Sequence, residues 1–128
     1  MTGCSRSGAD VIDVLVVDDG PNMADTTAEI LRSRGFTVAI AATLGEALEV
    51  MTACHVRAVI LDHSLRGETG VNFMDKGRDL PPVIVVSGMG PDVLQSYKTA
   101  YGEQVFTCLA KPVQPLDLIE AVKAALGN

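Results

Sequence analysis

A doubly wound α/β fold, with five parallel strands between two layers of helices, is what this sequence predicts, and three observations predict it. Short aliphatic runs recur along the chain, each bounded by turn residues, as in strands buried on both faces. Helix signals separate these runs, so strand and helix alternate from end to end. The 128 residues suit one domain, and they are 48% hydrophobic but only 4% aromatic. Such a core must be built from Val, Ile, Leu, Ala and Met, which fits a β-branched sheet covered on both sides.

The first run, Val14-Leu15-Val16-Val17, leads straight into Asp18-Asp19. Pro21 then opens a helix whose apolar face is expected at Met23, Thr27, Ile30 and Leu31, and Gly35 closes it. Residues 37–41 read as the second strand. Thr43 with Glu46 forms a capping box, and Ala47, Leu48 and Met51 give the following helix its inward side. The third run, Ala58-Val59-Ile60-Leu61, ends at Asp62. Gly67 and Gly70 loosen the next loop, and a short helix over 71–76 precedes Pro81-Pro82. Val83-Ile84-Val85-Val86 ends at Ser87, followed by a flexible Gly88-Met89-Gly90 loop. A helix over 92–101 should turn Val93, Leu94 and Tyr97 inward. The last strand, from Val105 to Ala110, ends at Lys111-Pro112, and Pro115 starts a final helix carrying Leu118, Ile119, Val122 and Leu126. Five βα units with right-handed crossovers give a (βα)5 sheet in the order 2-1-3-4-5, the flavodoxin-like arrangement.

In such a sheet the carboxyl ends of the strands line the crevice where ligands bind. Asp18, Asp19, Asp62, Ser87 and Lys111 all stand at those ends and should therefore meet. Taken singly, an acid pair after a strand is often only a solvated loop, and a lone Lys-Pro is usually a turn. Together they form a site of compatible chemistry. Crowded carboxylates repel one another unless a cation joins them, and their hard oxygens suit Mg²⁺. Lys111 offers a point charge to a phosphoryl group, Ser87 offers a hydroxyl, and the central Asp62 is placed to act as nucleophile and form an aspartyl phosphate.

Composition excludes other classes. Ten Lys plus Arg against 16 Asp plus Glu leave a net charge of −6, which argues against direct nucleic-acid binding. No stretch reaches the length of a membrane span, and residues 1–10, polar and without an apolar run, read as a flexible tail ahead of a domain over 11–126. Cys4, Cys54 and Cys108 include no CxxC pair, so neither a zinc site nor a disulfide framework is expected, and a cytoplasmic chain is the default.

The acid pair Asp18-Asp19, Asp62 followed eight residues later by Gly70, Ser87, and Lys111-Pro112 together resemble the response-regulator receiver domains of two-component signalling, over about residues 11–126. The resemblance implies phosphoryl transfer from a histidine kinase or histidine phosphotransfer protein to Asp62. It implies that Asp18, Asp19, Asp62 and the backbone carbonyl of Ser64 hold Mg²⁺, and that Ser87 and Lys111 contact the phosphoryl oxygens. Phosphorylation would then alter the face formed by the fourth helix, fifth strand and fifth helix, with Tyr97, Tyr101, Gln104 and Cys108 as candidates, for a downstream protein partner or a fused output domain. Beyond its own phosphorylation and dephosphorylation, no enzymatic activity is implied.

Several positions depart from the family pattern. Arg66 stands where proline is frequent, Gly20 where a further acid is frequent, and Cys108 where an aromatic commonly rotates as part of the switch. The segment 70–82 is short. His63, beside Asp62, reads as a strand-end side chain turned away from the site. Two alternatives compete: an unphosphorylated receiver-like scaffold that binds partners through the same faces, and a haloacid-dehalogenase-type hydrolase. The hydrolase would need a second Asp where Ser64 stands. The chain ends soon after its last helix, which suits either a stand-alone receiver or a piece of a larger regulator.

Overall fold

The structure, a computed structural model, describes residues 11–65, 68–69, 73–75, 80–88 and 91–127. The expected features at residues 1–10, Arg66, Gly67, Gly70, Met89 and Gly90 lie outside the described residues. In chain order the elements are β1 (Val11–Val17), α1 (Pro21–Arg32), β2 (Val38–Ala41), α2 (Leu44–Ala53) and β3 (His55–Asp62). A two-residue antiparallel pair follows, β4 (Ser64–Leu65) with β5 (Glu68–Thr69), then helical residues 73–75 (α3). The remainder is β6 (Val83–Ser87), α4 (Pro91–Tyr101), a 3₁₀ turn (Gly102–Gln104), β7 (Val105–Ala110) and α5 (Pro115–Ala125).

The main sheet runs β2-β1-β3-β6-β7, all parallel, which is the expected 2-1-3-4-5 order when only its own strands are counted. Successive strand residues point to opposite faces, and membership of the two apolar clusters follows that period of two. Leu15, Val17, Val59, Leu61, Val83 and Val85 pack into one cluster with Leu44, Ala47 and Val50 of α2, Phe73 and Met74 of α3, and Tyr97 of α4. Val14, Val16, Ile60, Ile84 and Val86 pack into the other, with Ala24 and Leu31 of α1 and Leu118, Ile119 and Val122 of α5. Helices α2, α3 and α4 thus cover one face, and α1 and α5 cover the other.

Local signals explain how the helices begin and end. Glu46 N–H donates to Thr43 Oγ1 at 3.1 Å, while the Glu46 carboxylate accepts from Ala42 N–H at 2.9 Å, a capping box whose return bond falls one residue early. Gly35, at φ +89°, turns the chain out of α1, and Phe36 N–H returns to the Leu31 carbonyl at 3.2 Å.

Two expected helix faces are corrected. On α1 the inward positions are Ala24, Ala28 and Leu31, whereas Met23 is 49% exposed. The small alanines let the helix lie close to the sheet, and an apolar stripe read from large residues alone passes over them. On α2 the buried set is Leu44, Ala47 and Val50, with Leu48 and Met51 only half-buried. Cys54 is buried and Cys108 half-buried.

Candidate functional site

Parallel register assembles the site. Val17 pairs with Leu61, so the next residues along, Asp18 and Asp62, come side by side at the end of adjacent central strands. Ser87 pairs with Ala110, so Lys111 follows immediately beyond, and Lys111 N–H donates to the Ser87 carbonyl at 3.0 Å. One carboxylate oxygen from each of Asp18, Asp19 and Asp62 lies within 4.8 Å of the others. Lys111 Nζ donates to Asp62 Oδ1 at 3.2 Å, and Ser64 N–H donates to the same oxygen at 3.3 Å. Asp62 is 6% exposed, Ser87 is buried, and Asp18, Asp19 and Lys111 are half-buried. The peptide between Lys111 and Pro112 is cis.

Beneath the acids lies a cavity of about 80 Å³ between α1, α5 and the sheet. Val16, Thr27, Ile30, Ile60 and Leu118 give it a largely apolar floor, and Asp18, Asp62 and Lys111 supply polar walls. That setting decides the charge on Asp18. Burial pushes its carboxyl up, the neighbouring Asp62 adds to the push, and a hydrogen bond shared with Asp62 acts in the same direction. The Gly20 N–H, donating to Asp18 Oδ1 at 2.8 Å, and the Lys111 ammonium pull the other way. Gly20 leaves room for this bond: a Cβ there would stand 3.3 Å from Asp18 Oδ1.

These are hard, anionic oxygen donors with one ammonium beside them. They can hold a small divalent cation such as Mg²⁺, and they present a buried carboxylate to an electrophile. A cation there would neutralise the crowding that raises Asp18.

The other expected positions divide. His63 turns its ring to α4, where Nδ1 and Tyr97 Oη share a 2.6 Å hydrogen bond and the two rings meet edge to face at 5.4 Å. Tyr97 is only 1% exposed, so it belongs to the core and not to the outer surface of α4, because its ring fills the space between α4 and the sheet. Tyr101 is half-buried and donates to Asp75 Oδ1 at 2.7 Å. Burial, that bond and the Asp75 charge push its hydroxyl up to about 12. Gln104 is exposed, and Cys108 is half-buried, its thiol pushed up by burial against the pull of Lys98. Register slips by one residue between the Val83–Val105 and Ile84–Thr107 pairs, leaving Phe106 as the extra residue, 39% exposed.

Sequence reasoning missed the Gly20 and Ser64 amides as donors to the acids, and the His63–Tyr97 bond. The first two depend on turns of two residues, which carry no periodic signal. The third joins side chains 34 positions apart.

Comparison with known proteins agrees with this geometry. The family model for the response regulator receiver domain matches residues 14–123. The regulatory protein VanR of Enterococcus faecium is 33% identical over 115 residues, 88% of this chain and 49% of VanR. A putative NtrX-like response regulator of Rickettsia bellii is 32% identical over 120 residues, 90% of this chain and 25% of that protein. The chain therefore spans half or less of the length of these relatives. A CheY-like receiver domain protein from Methanospirillum hungatei has a crystal structure that superposes with a TM-score of 0.80 at 28% identity, covering 93% of this chain and 94% of that one. Receiver domains generally bind Mg²⁺ in an acidic pocket and serve two-component systems as phosphorylation-controlled signalling domains. With its family match, its strand order and its acids at the strand ends, this chain belongs to the response regulator receiver family.

Proposed function

We propose that this chain is a phosphorylation switch in which Asp62 accepts a phosphoryl group from a histidine kinase or histidine phosphotransfer protein. The observation that carries this reading is the contact of Lys111 with the buried Asp62 carboxylate, 3.2 Å apart, beside two further aspartates. In the transfer, an Asp62 carboxylate oxygen bonds to phosphorus while the bond from phosphorus to the donor histidine nitrogen breaks, its electron pair leaving with the imidazole. Lys111 follows the developing negative charge from the carboxylate to the phosphoryl oxygens, and the Ser87 hydroxyl is the hydrogen-bond donor proposed on their other side. Asp18, Asp19, Asp62 and the Ser64 carbonyl would hold Mg²⁺, which supplies charge neutralisation for the phosphoryl group.

The unit that does this is proposed to span residues 11–126. Among the described residues no helix is long and apolar enough to cross a membrane, and a cytoplasmic place is proposed for it on the family match. Output passes through α4, β7 and α5 to a protein partner or a fused output domain, with Tyr101, Gln104 and Cys108 as candidate reporters.

Intact mass spectra over time, with Mg²⁺ and acetyl phosphate, test the reading. One phosphoryl group should add to the wild type and be lost with chelator, and Asp62→Asn should take none. A folded wild type that gains no mass, with either acetyl phosphate or a phosphorylated phosphotransfer protein, returns the chain to the scaffold reading.

A further inference from the structure

The residue next to the proposed phosphoacceptor turns its side chain away from the acids, to a different element. His63 N–H donates to the Val86 carbonyl at 2.9 Å, which fixes its backbone to β6. Its ring meets Tyr97 on α4 both edge to face and through the 2.6 Å Nδ1–Oη bond. The contacts continue: Tyr97 lies against Tyr101 with ring centroids 6.2 Å apart, and Tyr101 donates to Asp75 of α3. One residue along α4, Lys98 Nζ donates to the Val105 and Phe106 carbonyls at 3.0 Å each, joining the same helix to the start of β7. Meanwhile Asp62 Oδ1 accepts both Ser64 N–H and Lys111. A group added to this carboxylate competes for those donors, so residues 62–64 must readjust, and His63 lies in the middle of them.

We infer that the His63–Tyr97 hydrogen bond is the coupling between the phosphoacceptor end of β3 and α4, so that a change at Asp62 is carried to α4 and on to α3 and β7. This rests on the reading of Asp62 above. His63 and Tyr97 are positioning residues here: neither is needed to receive the phosphoryl group, and both are needed for α4 to respond to it. The hydrogen bond and the edge-to-face ring contact both tie the buried Tyr97 to His63, so the helix follows the histidine.

Hydrogen exchange of the 91–101 segment, before and after acetyl phosphate with Mg²⁺, reads the coupling. Intact mass reports phosphoryl occupancy in the same samples. Tyr97→Phe keeps the ring and removes the hydroxyl, His63→Leu removes the partner, and His63→Asn restores a hydrogen-bonding atom near the Nδ1 position. Occupancy should match wild type in all three. The phosphorylation-dependent change in exchange should shrink by about fivefold or more in Tyr97→Phe and His63→Leu and return in His63→Asn. An equal α4 response in every variant, or an α4 silent in phosphorylated wild type, overturns the inference. Should wild type take no phosphoryl group, the proposed function fails by itself, and the coupling is read from urea midpoints of Asp62→Asn, Tyr97→Phe and the double variant. Non-additive midpoints uphold it, and additive ones overturn it.

Discussion

Asp18 sits half-buried over the apolar floor of the cavity and beside the charge of Asp62, and both hold a proton on it to higher pH than a free aspartate keeps. Its folded value is raised, so the sign of the linkage follows. Below its ordinary value of 3.8 the carboxyl is protonated in folded and unfolded chains alike, and there is no penalty. As pH rises from there through the folded value, the unfolded chain releases the proton first, and stability falls. In chelator, urea midpoints of the wild type should therefore decline between acidic and neutral pH, and Asp18→Asn should flatten that decline and raise the midpoint at pH 7. Excess Mg²⁺ should reverse the order, because a ligand bound only by the folded wild type stabilises it by about 2.7 kcal/mol at a hundred times its Kd. A variant no more stable than wild type in chelator at neutral pH would show that the acids are not crowded. The acids themselves were legible in the sequence, since each closes a strand. Their amide donors, Gly20 and Ser64, were not, because a turn of two residues has no period to read.

Elements differ in how openly the sequence announces them. The three central strands, β1, β3 and β6, are β-branched runs buried along most of both faces, whereas the edge strands β2 and β7 are only partly buried. The α2 boundary was equally plain, because Thr43 and Glu46 satisfy backbone amides with side chains at a fixed spacing. Thr43→Ala should cost about 1 kcal/mol in equilibrium unfolding, with little effect on phosphoryl uptake, since the cap bonds run between Ala42, Thr43 and Glu46 and not to the acids. The pairing of Ser64–Leu65 with Glu68–Thr69 was invisible, for two residues cannot show an alternation. The α1 face was only partly read, for the opposite reason: Leu31 is buried as expected, but the other buried positions are Ala24 and Ala28, whose small side chains give no hydrophobic stripe. Tyr97 was expected both inward and on the partner face, and burial at 1% settles it inward. A pattern of spacing assigns a residue to a helix face but does not find its partner on another strand.

At the scale of the whole molecule, two apolar clusters share one sheet, and most of its buried aliphatic residues belong to one or the other. Phe73 anchors α3 on the first of these clusters and is fully buried. Phe73→Ala should lower stability by about 3–5 kcal/mol, read as a fall in the urea midpoint with a single transition, since both clusters press on the same strands. Two separate transitions would mean that the faces unfold independently. The order of the sheet was legible because five βα units leave few topologies open. The pole opposite the acids holds another feature. Arg57 reaches both Asp13, near the start of β1, at 3.4 Å and the Leu126 carbonyl, just past α5, at 3.2 Å. Entry to the fold and exit from it are thus clasped by a single guanidinium, some five strand residues, or about 17 Å, from Asp62. A fluorescent tag, a surface tether or a second protein joined near residue 11 or residue 127 should leave the acidic site open to solvent. The same proximity lets the old ends be bridged by a short linker and new ones cut elsewhere, so the fold lends itself to circular permutation and to insertion as a cassette inside a host protein.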